Sequence, residues 1–390
     1  MMGNKVRSRC WRLSVAFFSS LVTRPPLCRF VVTDKVLPLP DGLQIATQVY
    51  QSNPIESTAT SKTKKRRLFL LLHGWLDNCR SFHRLAPALA SYYHDNQQKE
   101  QQQGTAIDYY DTKVVAMDFA GHGKSSHVPG GPGVLLDGVS CITQVLQHKE
   151  LRWSSDDDND NCTDQVIVIG HSMGAGIAVA FAAAFPEMLD KLVLLEGFGP
   201  FPRHERDVAN LLRTHVEVRN KGHAKLSASV QNGRKQYTLA TAVRARQQTA
   251  LQSPGDQYIS NEAATELVQW ALCRNEHDNV ENDKVLYSFR HDPRVGWPSV
   301  QYLTHGQVEA LQRAVRPVNS LLLRAKEGWP IREDLVEHYV DSLRPNVMAT
   351  LPGSHHFHAD PDTWEAVAEH VCKFVFADDD GVVVEDELEQ

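Results

Sequence analysis

Residues 166–176 read Val166-Ile167-Val168-Ile169-Gly170-His171-Ser172-Met173-Gly174-Ala175-Gly176, and this stretch decides the fold of the chain. β-Branched residues stop at a glycine, and small residues after the serine open an apolar run to Phe185. This pattern predicts a strand, a very tight turn and a helix. Because glycines lack a Cβ atom, strand and helix can approach closely while Ser172 occupies a strained turn.

The spacing Gly170-x-Ser172-x-Gly174 is that of a nucleophile elbow. Such a turn projects the serine hydroxyl outward, and the N–H groups at the helix start can face a developing oxyanion. We therefore predict that Ser172 is a catalytic nucleophile. The alternative is a plain connection between a strand and a helix.

Strand and helix patterns alternate around this stretch. Apolar or β-branched strand runs are predicted before it at Leu68–Leu72 and 113–117, and after it at Leu192–Leu195, Val318–Arg324 and Val347–Leu351. Helices are predicted at about 81–93, after the elbow, and at about 363–376, with a glutamine-rich loop from 94 to 112. Uninterrupted apolar strands separated by helices predict the α/β class, with a doubly wound, mostly parallel sheet.

The pattern divides the chain into five segments. Residues 34–200 and 317–376 form the two parts of the α/β core, and residues 201–316 lack an apolar strand run and are predicted to be an inserted helical domain. Residues 377–390 are acidic and predicted to be a disordered tail. Residues 1–33 form the fifth segment, which differs from the others in composition.

The first 33 residues are rich in arginine and serine and carry no acid. This composition is typical of an organelle transit peptide, mitochondrial or plastid. A secretory signal and an untargeted disordered arm on a cytoplasmic protein are the alternatives. The apolar run 13–22 is too short to span a bilayer, so no stable membrane span is expected.

Composition excludes several classes of function. The net charge of −6 gives no case for nucleic-acid binding, and the seven cysteines include no C-x-x-C pair. We expect free thiols, no metal site and no cofactor.

A serine nucleophile needs a base, and the chain offers one histidine cluster. His355, His356 and His358 follow the last predicted strand and precede the last helix, which fits the chain order nucleophile, acid, histidine. We predict His355 as the base because it comes first after the Gly353-Ser354 turn. His356 is the alternative, and His358 is expected to be a hydrogen-bonded neighbour. The cluster lacks accompanying carboxylate or cysteine ligands, which disfavours a metal site.

Two carboxylates compete for the role of the acid that orients the base. Glu327 follows the strand run that ends at Arg324, and Glu196 ends the strand after the elbow helix. We favour Glu327. The other glutamate would then bond backbone N–H groups of a loop.

The oxyanion needs two N–H donors. One is expected from Met173, next to the nucleophile. The other is expected from Trp75, in the loop His73-Gly74-Trp75 after the first apolar strand. The Trp75 side chain is equally suited to form a pocket wall.

Six motifs of the chain belong together: H-G-W-L-D-N, V-A-M-D-F-A-G-H-G-K-S-S-H, I-G-H-S-M-G, F-P-E-M-L-D-K-L-V-L-L-E-G-F-G-P, D-P-R and P-G-S-H-H-F-H. Taken together they resemble those of the α/β-hydrolase superfamily, and most closely the serine hydrolase-like proteins, relatives of the epoxide hydrolase and haloalkane dehalogenase branch. The resemblance implies an eight-stranded sheet under a helical cap, with Ser172 at the nucleophile position and His355 at the histidine position.

A serine, where epoxide hydrolases and dehalogenases carry aspartate, points away from both of those activities. The resemblance implies hydrolysis of a small ester or thioester through a Ser-His-acid triad and an acyl-enzyme. The expected partners are therefore a small acyl substrate and water. A lactone or C–C bond hydrolase would use the same residues. A non-catalytic small-ligand-binding protein on the same fold is the other alternative.

Overall fold

The computed structural model describes residues 30–52, 64–100, 109–131, 133–151, 164–232, 235–255, 257–274, 285–298 and 303–380. The N-terminal segment predicted to be a targeting peptide lies outside them except for residues 30–33. Those residues form the start of the first strand.

The core strands are β1 (Phe30–Pro38), β2 (Gln44–Ser52), β3 (Lys64–Leu72), β4 (Tyr109–Met117), β5 (Asp164–His171) and β6 (Lys191–Leu195). After short strands β7 (Pro202–Arg203), β8 (Leu272–Arg274), β9 (Tyr287–Phe289) and β10 (Leu303–Thr304), the core resumes with β11 (Asn319–Glu327) and β12 (Val347–Ser354). The helices are α1 (Leu85–Glu100), α2 (Val134–Leu146), α3 (Met173–Ala184), α4 (Val208–Asn232), α5 (Leu239–Leu251), α6 (Asn261–Ala271), α7 (His305–Val315), α8 (Glu333–Leu343) and α9 (Trp364–Asp380).

The main sheet has eight strands in the order β1-β2-β4-β3-β5-β6-β11-β12. The first two strands pair antiparallel with their neighbours, and the other strand pairs are parallel. This confirms the predicted α/β class and the mostly parallel, eight-stranded sheet. The carboxyl ends of β3, β5, β6, β11 and β12 therefore lie along one edge, where sites of such sheets form.

Both faces of the sheet are covered, because successive side chains of a strand point to opposite faces. In β3, Leu68, Leu70 and Leu72 join one buried cluster with residues of α2, α3 and α8, whereas Phe69 and Leu71 join another with residues of α1 and α9. Burial on both faces explains why these strands read as unbroken apolar runs in the sequence.

We call residues 201–316 the cap, and helices α4 to α7 make up most of its described residues. Ala242 and Val243 of α5 join Ala264 and Leu267 of α6 in a small buried cluster that also includes Ala359 of the α/β core. The pairs β7–β10 and β8–β9 are short additions that the sequence pattern did not predict.

Three predicted boundaries are corrected by the structure. Helix α1 continues to Glu100, beyond the predicted end at residue 93, and β4 begins at Tyr109 within the predicted loop. Helix α9 continues to Asp380, so the predicted tail from 377 is helical at its start. No helix among the described residues is long and apolar enough to cross a membrane.

Candidate active site

Ser172 lies at the bend between β5 and α3, in a backbone conformation that is rare for a residue with a side chain (φ 52°, ψ −115°). Its N–H donates to the Leu195 carbonyl at 2.9 Å, and its carbonyl accepts from the Gly176 N–H at 3.0 Å. A Cβ atom at Gly170 would lie 2.5 Å from the Gly174 carbonyl oxygen, and one at Gly174 would collide with the Leu72 carbonyl. The two glycines thus allow the close approach that the strained turn requires.

A cavity of about 460 Å³ lies between the sheet and the cap, and both Ser172 and His355 line it. Its walls are largely apolar and come from the core and the cap, among them Leu135, Ile177, Leu211, Val295 and Trp297. A concave, mostly apolar space with a few polar groups is typical of a small-molecule site.

Ser172 and His355 both line this cavity. Among the described residues, no hydrogen bond joins the Ser172 hydroxyl to His355 or to another residue. Catalytic hydrogen bonds are often long in unliganded sites and tighten when substrate binds.

His355 is held on several sides. Its Nδ1 atom lies 3.2 Å from Glu196 Oε2, its backbone N–H donates to Gln257 Oε1 at 2.9 Å, and its carbonyl lies 2.8 Å from His171 Nε2. The Trp329 ring stacks on the imidazole with centroids 5.1 Å apart. A carboxylate can only accept, so Nδ1 carries the proton and Nε2 keeps its lone pair.

Contrary to the preference for Glu327, the carboxylate beside His355 in the structure is that of Glu196. Glu327 Oε2 accepts a hydrogen bond from the Gly353 N–H at 2.9 Å, and its side chain is exposed. Glu196, the alternative, contacts His355 and also accepts from the backbone N–H groups of Ala325 at 2.6 Å and Trp329 at 3.3 Å. Glu327 thus bonds one backbone N–H of β12, whereas Glu196 bonds backbone N–H groups as well as the imidazole.

Burial lowers the pKa of His355 below the ordinary value, and the hydrogen bond with Glu196 partly opposes this shift. Burial likewise holds the pKa of His171 well below its ordinary value. Both rings are therefore neutral near pH 7, which is the state that a general base requires.

The other two histidines of the predicted cluster have different surroundings. His356 Nε2 lies 3.2 Å from Asp77 Oδ2 and 3.0 Å from a terminal nitrogen of Arg246. His358 is fully buried, 3.5 Å from the Ser81 hydroxyl, and burial holds its pKa well below the ordinary value. The described residues contain no group of three or more His, Cys, Asp and Glu side chains arranged to hold a metal ion.

The predicted oxyanion donors lie at the expected places in the chain. Met173 is the first residue of α3, where a backbone N–H has no partner within the helix. Trp75 comes two residues after His73, which is buried and whose Nδ1 lies 2.7 Å from the Gly74 carbonyl oxygen. The Trp75 indole donates to the Val295 carbonyl at 2.9 Å and lines the cavity, so the side chain forms a wall. The oxyanion role of both N–H groups stays a prediction.

Several residues of the site were missed in the sequence, namely Asp77, His171, Arg246, Gln257 and Trp329. Asp77 and His171 lie inside the quoted motifs, at positions to which no role was given. Arg246 and Gln257 come from the cap, where no local pattern separates them from solvent-facing residues.

The chain is also similar to known proteins in sequence. The sequence matches the alpha/beta hydrolase family over residues 69–370. A serine hydrolase-like protein of Dictyostelium discoideum is 24% identical over 349 residues, covering 87% of this chain and 83% of that protein. A serine hydrolase-like protein of Homo sapiens is 40% identical over 128 residues, covering 33% of this chain and 48% of that protein.

Solved structures share the architecture. A hypothetical protein of Pseudomonas aeruginosa superimposes with a TM-score of 0.60 at 26% identity, covering 89% of this chain and 98% of its own. A thioesterase domain from the curacin biosynthetic pathway gives a TM-score of 0.56 at 20% identity, covering 87% of this chain and 99% of its own. The second likeness concerns the fold alone.

Proposed function

The chain is a hydrolase of the alpha/beta hydrolase family, and on this premise we propose that it cleaves a small carboxylic ester or thioester with Ser172 as nucleophile, His355 as base and Glu196 as orienting acid. The observation that carries the proposal is the Glu196–His355 pair, 3.2 Å apart, beside the cavity into which the strained Ser172 bend opens.

The acylation step follows from the proton positions. His355 Nδ1–H donates to Glu196, which leaves the Nε2 lone pair to take the Ser172 proton as Oγ attacks the carbonyl carbon. The N–H groups of Met173 and Trp75 would hold the oxyanion. His355 then gives its proton to the leaving alcohol or thiol, and the acyl group stays on Ser172.

Deacylation repeats the same chemistry with water. Neutral His355 takes a proton from water while the water oxygen attacks the acyl carbon. The same proton then passes from His355 to Ser172 Oγ as the carboxylic acid product leaves. The imidazolium formed in each step is stabilised by the Glu196 carboxylate. The largely apolar cavity walls favour an apolar acyl group.

Covalent labelling tests the nucleophile directly. A fluorophosphonate probe should label the wild type, and Ser172→Ala should abolish the label. Ser253→Ala is the matched control, because Ser253 lines the same cavity and its hydroxyl donates to the Thr249 carbonyl at 3.1 Å. This control should label like the wild type.

A panel of p-nitrophenyl esters and acyl thioesters tests turnover. Hydrolysis by the wild type and none by Ser172→Ala supports the proposal. A wild type that neither labels nor turns over any substrate would refute it, and would favour a protein that only binds a small ligand in the cavity.

A further inference from the structure

A second histidine–carboxylate contact lies beside the proposed triad. His356 Nε2 is 3.2 Å from Asp77 Oδ2, and the two side chains are only 7% and 1% exposed. Asp77 belongs to the loop that carries Trp75, and His356 follows His355 directly. The contact therefore joins the loop of a predicted oxyanion donor to the loop of the proposed base.

The cap contributes the cation of this cluster. A terminal nitrogen of Arg246, on α5, donates to Asp77 Oδ1 at 2.6 Å, and its side chain is 12% exposed. Burial alone would raise the pKa of Asp77, but Arg246 and His356 outweigh burial and hold that pKa well below its usual range. Asp77 is therefore a buried carboxylate whose ionised form is stabilised by Arg246 of the cap.

The proton on His356 can be placed from this geometry. The same nitrogen, Nε2, lies near both Asp77 and Arg246, and it cannot donate to one and accept from the other at once. If Nδ1 carried the proton, that buried N–H would have no partner among the described residues, and a lone pair would face the carboxylate. The Nε2–H form avoids both costs, so His356 and Arg246 both donate to Asp77.

The two histidine–carboxylate pairs differ in their counterions. Asp77 is paired with a permanent cation, whereas among the described residues the only ion pair of Glu196 is with His355. The full charge of Glu196 thus stabilises an imidazolium at His355, while the charge of Asp77 is already neutralised.

We propose that Arg246 is a positioning residue for the proposed hydrolysis, because it pairs with Asp77 and so holds His356 in place. Since His356 adjoins His355, this contact also fixes the His355 loop relative to the loop that carries Trp75. The inference rests on the proposed function. It assigns the cap a part in the chemistry through Asp77, without contact between Arg246 and the reacting atoms.

A comparison of kcat and KM tests this role. Arg246→Met should lower kcat about tenfold, because misplaced catalytic groups cost rate, while KM for a p-nitrophenyl ester changes less than about threefold. Arg246→Lys should recover part of kcat, since an ammonium can still donate to Asp77. Arg244→Met, at an exposed position of the same helix, is the matched control and should leave both constants unchanged.

A double-mutant cycle asks whether Arg246 acts through Asp77. In the Asp77→Asn background, Arg246→Met should lower kcat by less than about twofold further. Losses that multiply in the double variant would overturn the proposal, and so would an unchanged kcat in Arg246→Met. A rise in KM with kcat retained would make Arg246 a substrate-binding residue instead, which also overturns it.

A measurement independent of activity tests the arrangement itself. Nitrogen-15 spectra of the wild-type histidine rings, assigned with His356→Gln, should show His356 protonated on Nε2. Protonation on Nδ1 alone would mean that Arg246 donates to His356, and the proposal would fail. A wild type without labelling or turnover defeats the proposed function, whereas an active wild type with an unaffected Arg246→Met defeats this inference alone.

Discussion

The Glu196 carboxylate lies 3.2 Å from His355 Nδ1 although 159 positions of sequence separate the two residues. In the sheet, β6 and β12 flank β11, so Glu196 has to reach across the end of that strand. A positive φ of 54° at Glu196 turns the residue, and Gly328 leaves the space that the carboxylate fills. Glu196 therefore contacts His355, although Glu327 ends the strand adjacent to β12.

The first prediction concerns the choice of acid. Glu196→Gln should lower kcat for an ester about a thousandfold, because the amide cannot stabilise an imidazolium as a carboxylate does. Glu327→Gln should change kcat by less than about threefold, since Glu327 bonds only the Gly353 N–H among the described residues. Steady-state kinetics of the two variants, with melting curves to show that both are folded, decide between them. A larger loss of kcat in Glu327→Gln than in Glu196→Gln would make Glu327 the orienting acid.

The second prediction concerns the base. His355→Ala should reduce kcat about a thousandfold, to the rate that binding and the oxyanion donors alone support. His356→Ala should cost far less, about tenfold, because it disturbs the Asp77 contact and not the proton transfer. Single-turnover acylation with an activated ester separates the two effects. Equal losses of kcat in the two variants would contradict the assignment of His355 alone as the base.

Much of the fold was predictable because buried strands and helices leave strong patterns. Strand β3 contains a continuous apolar run since both faces of the sheet are covered. The helix α1 was predicted too short, because polar residues after Tyr93 resemble a loop in sequence whether or not they are helical.

The site was predictable only where a residue follows a strand end. Ser172 and His355 were predicted in this way, and both line one cavity in the structure. Two glutamates met the same criterion, and the decision between them depends on backbone rotation at Glu196 and on space at Gly328. The role of Arg246 depends on how the cap lies over the sheet, which no local pattern encodes.

The third prediction is a pH dependence. Neutral His355 is the active form, so kcat/KM should rise with pH as the imidazole loses its proton. Burial lowers the pKa of His355 from 6.5, so the acid limb should have its midpoint below pH 6.5. Glu196→Gln should move the midpoint lower still, because the hydrogen bond to Glu196 raises that pKa.

The control for the pH profile is Glu327→Gln, whose midpoint should coincide with that of the wild type. The substrate should have a leaving group that does not titrate in this range, so that the profile reports the enzyme. A wild-type midpoint above pH 6.5 would contradict the burial of the base.

The fourth prediction tests the clearance at Gly328. A Cβ atom there would collide with the Glu196 carboxylate, so Gly328→Ala should push Glu196 away from His355 and lower kcat about tenfold. Gly306→Ala in α7 is the matched control, because a Cβ atom there meets nothing within 4 Å. In the Glu196→Gln background the loss from Gly328→Ala should shrink below about twofold, since the interaction it disturbs is already gone. If Gly328→Ala retained the wild-type kcat while remaining folded, the contact between Glu196 and His355 would not be the one that sets the rate.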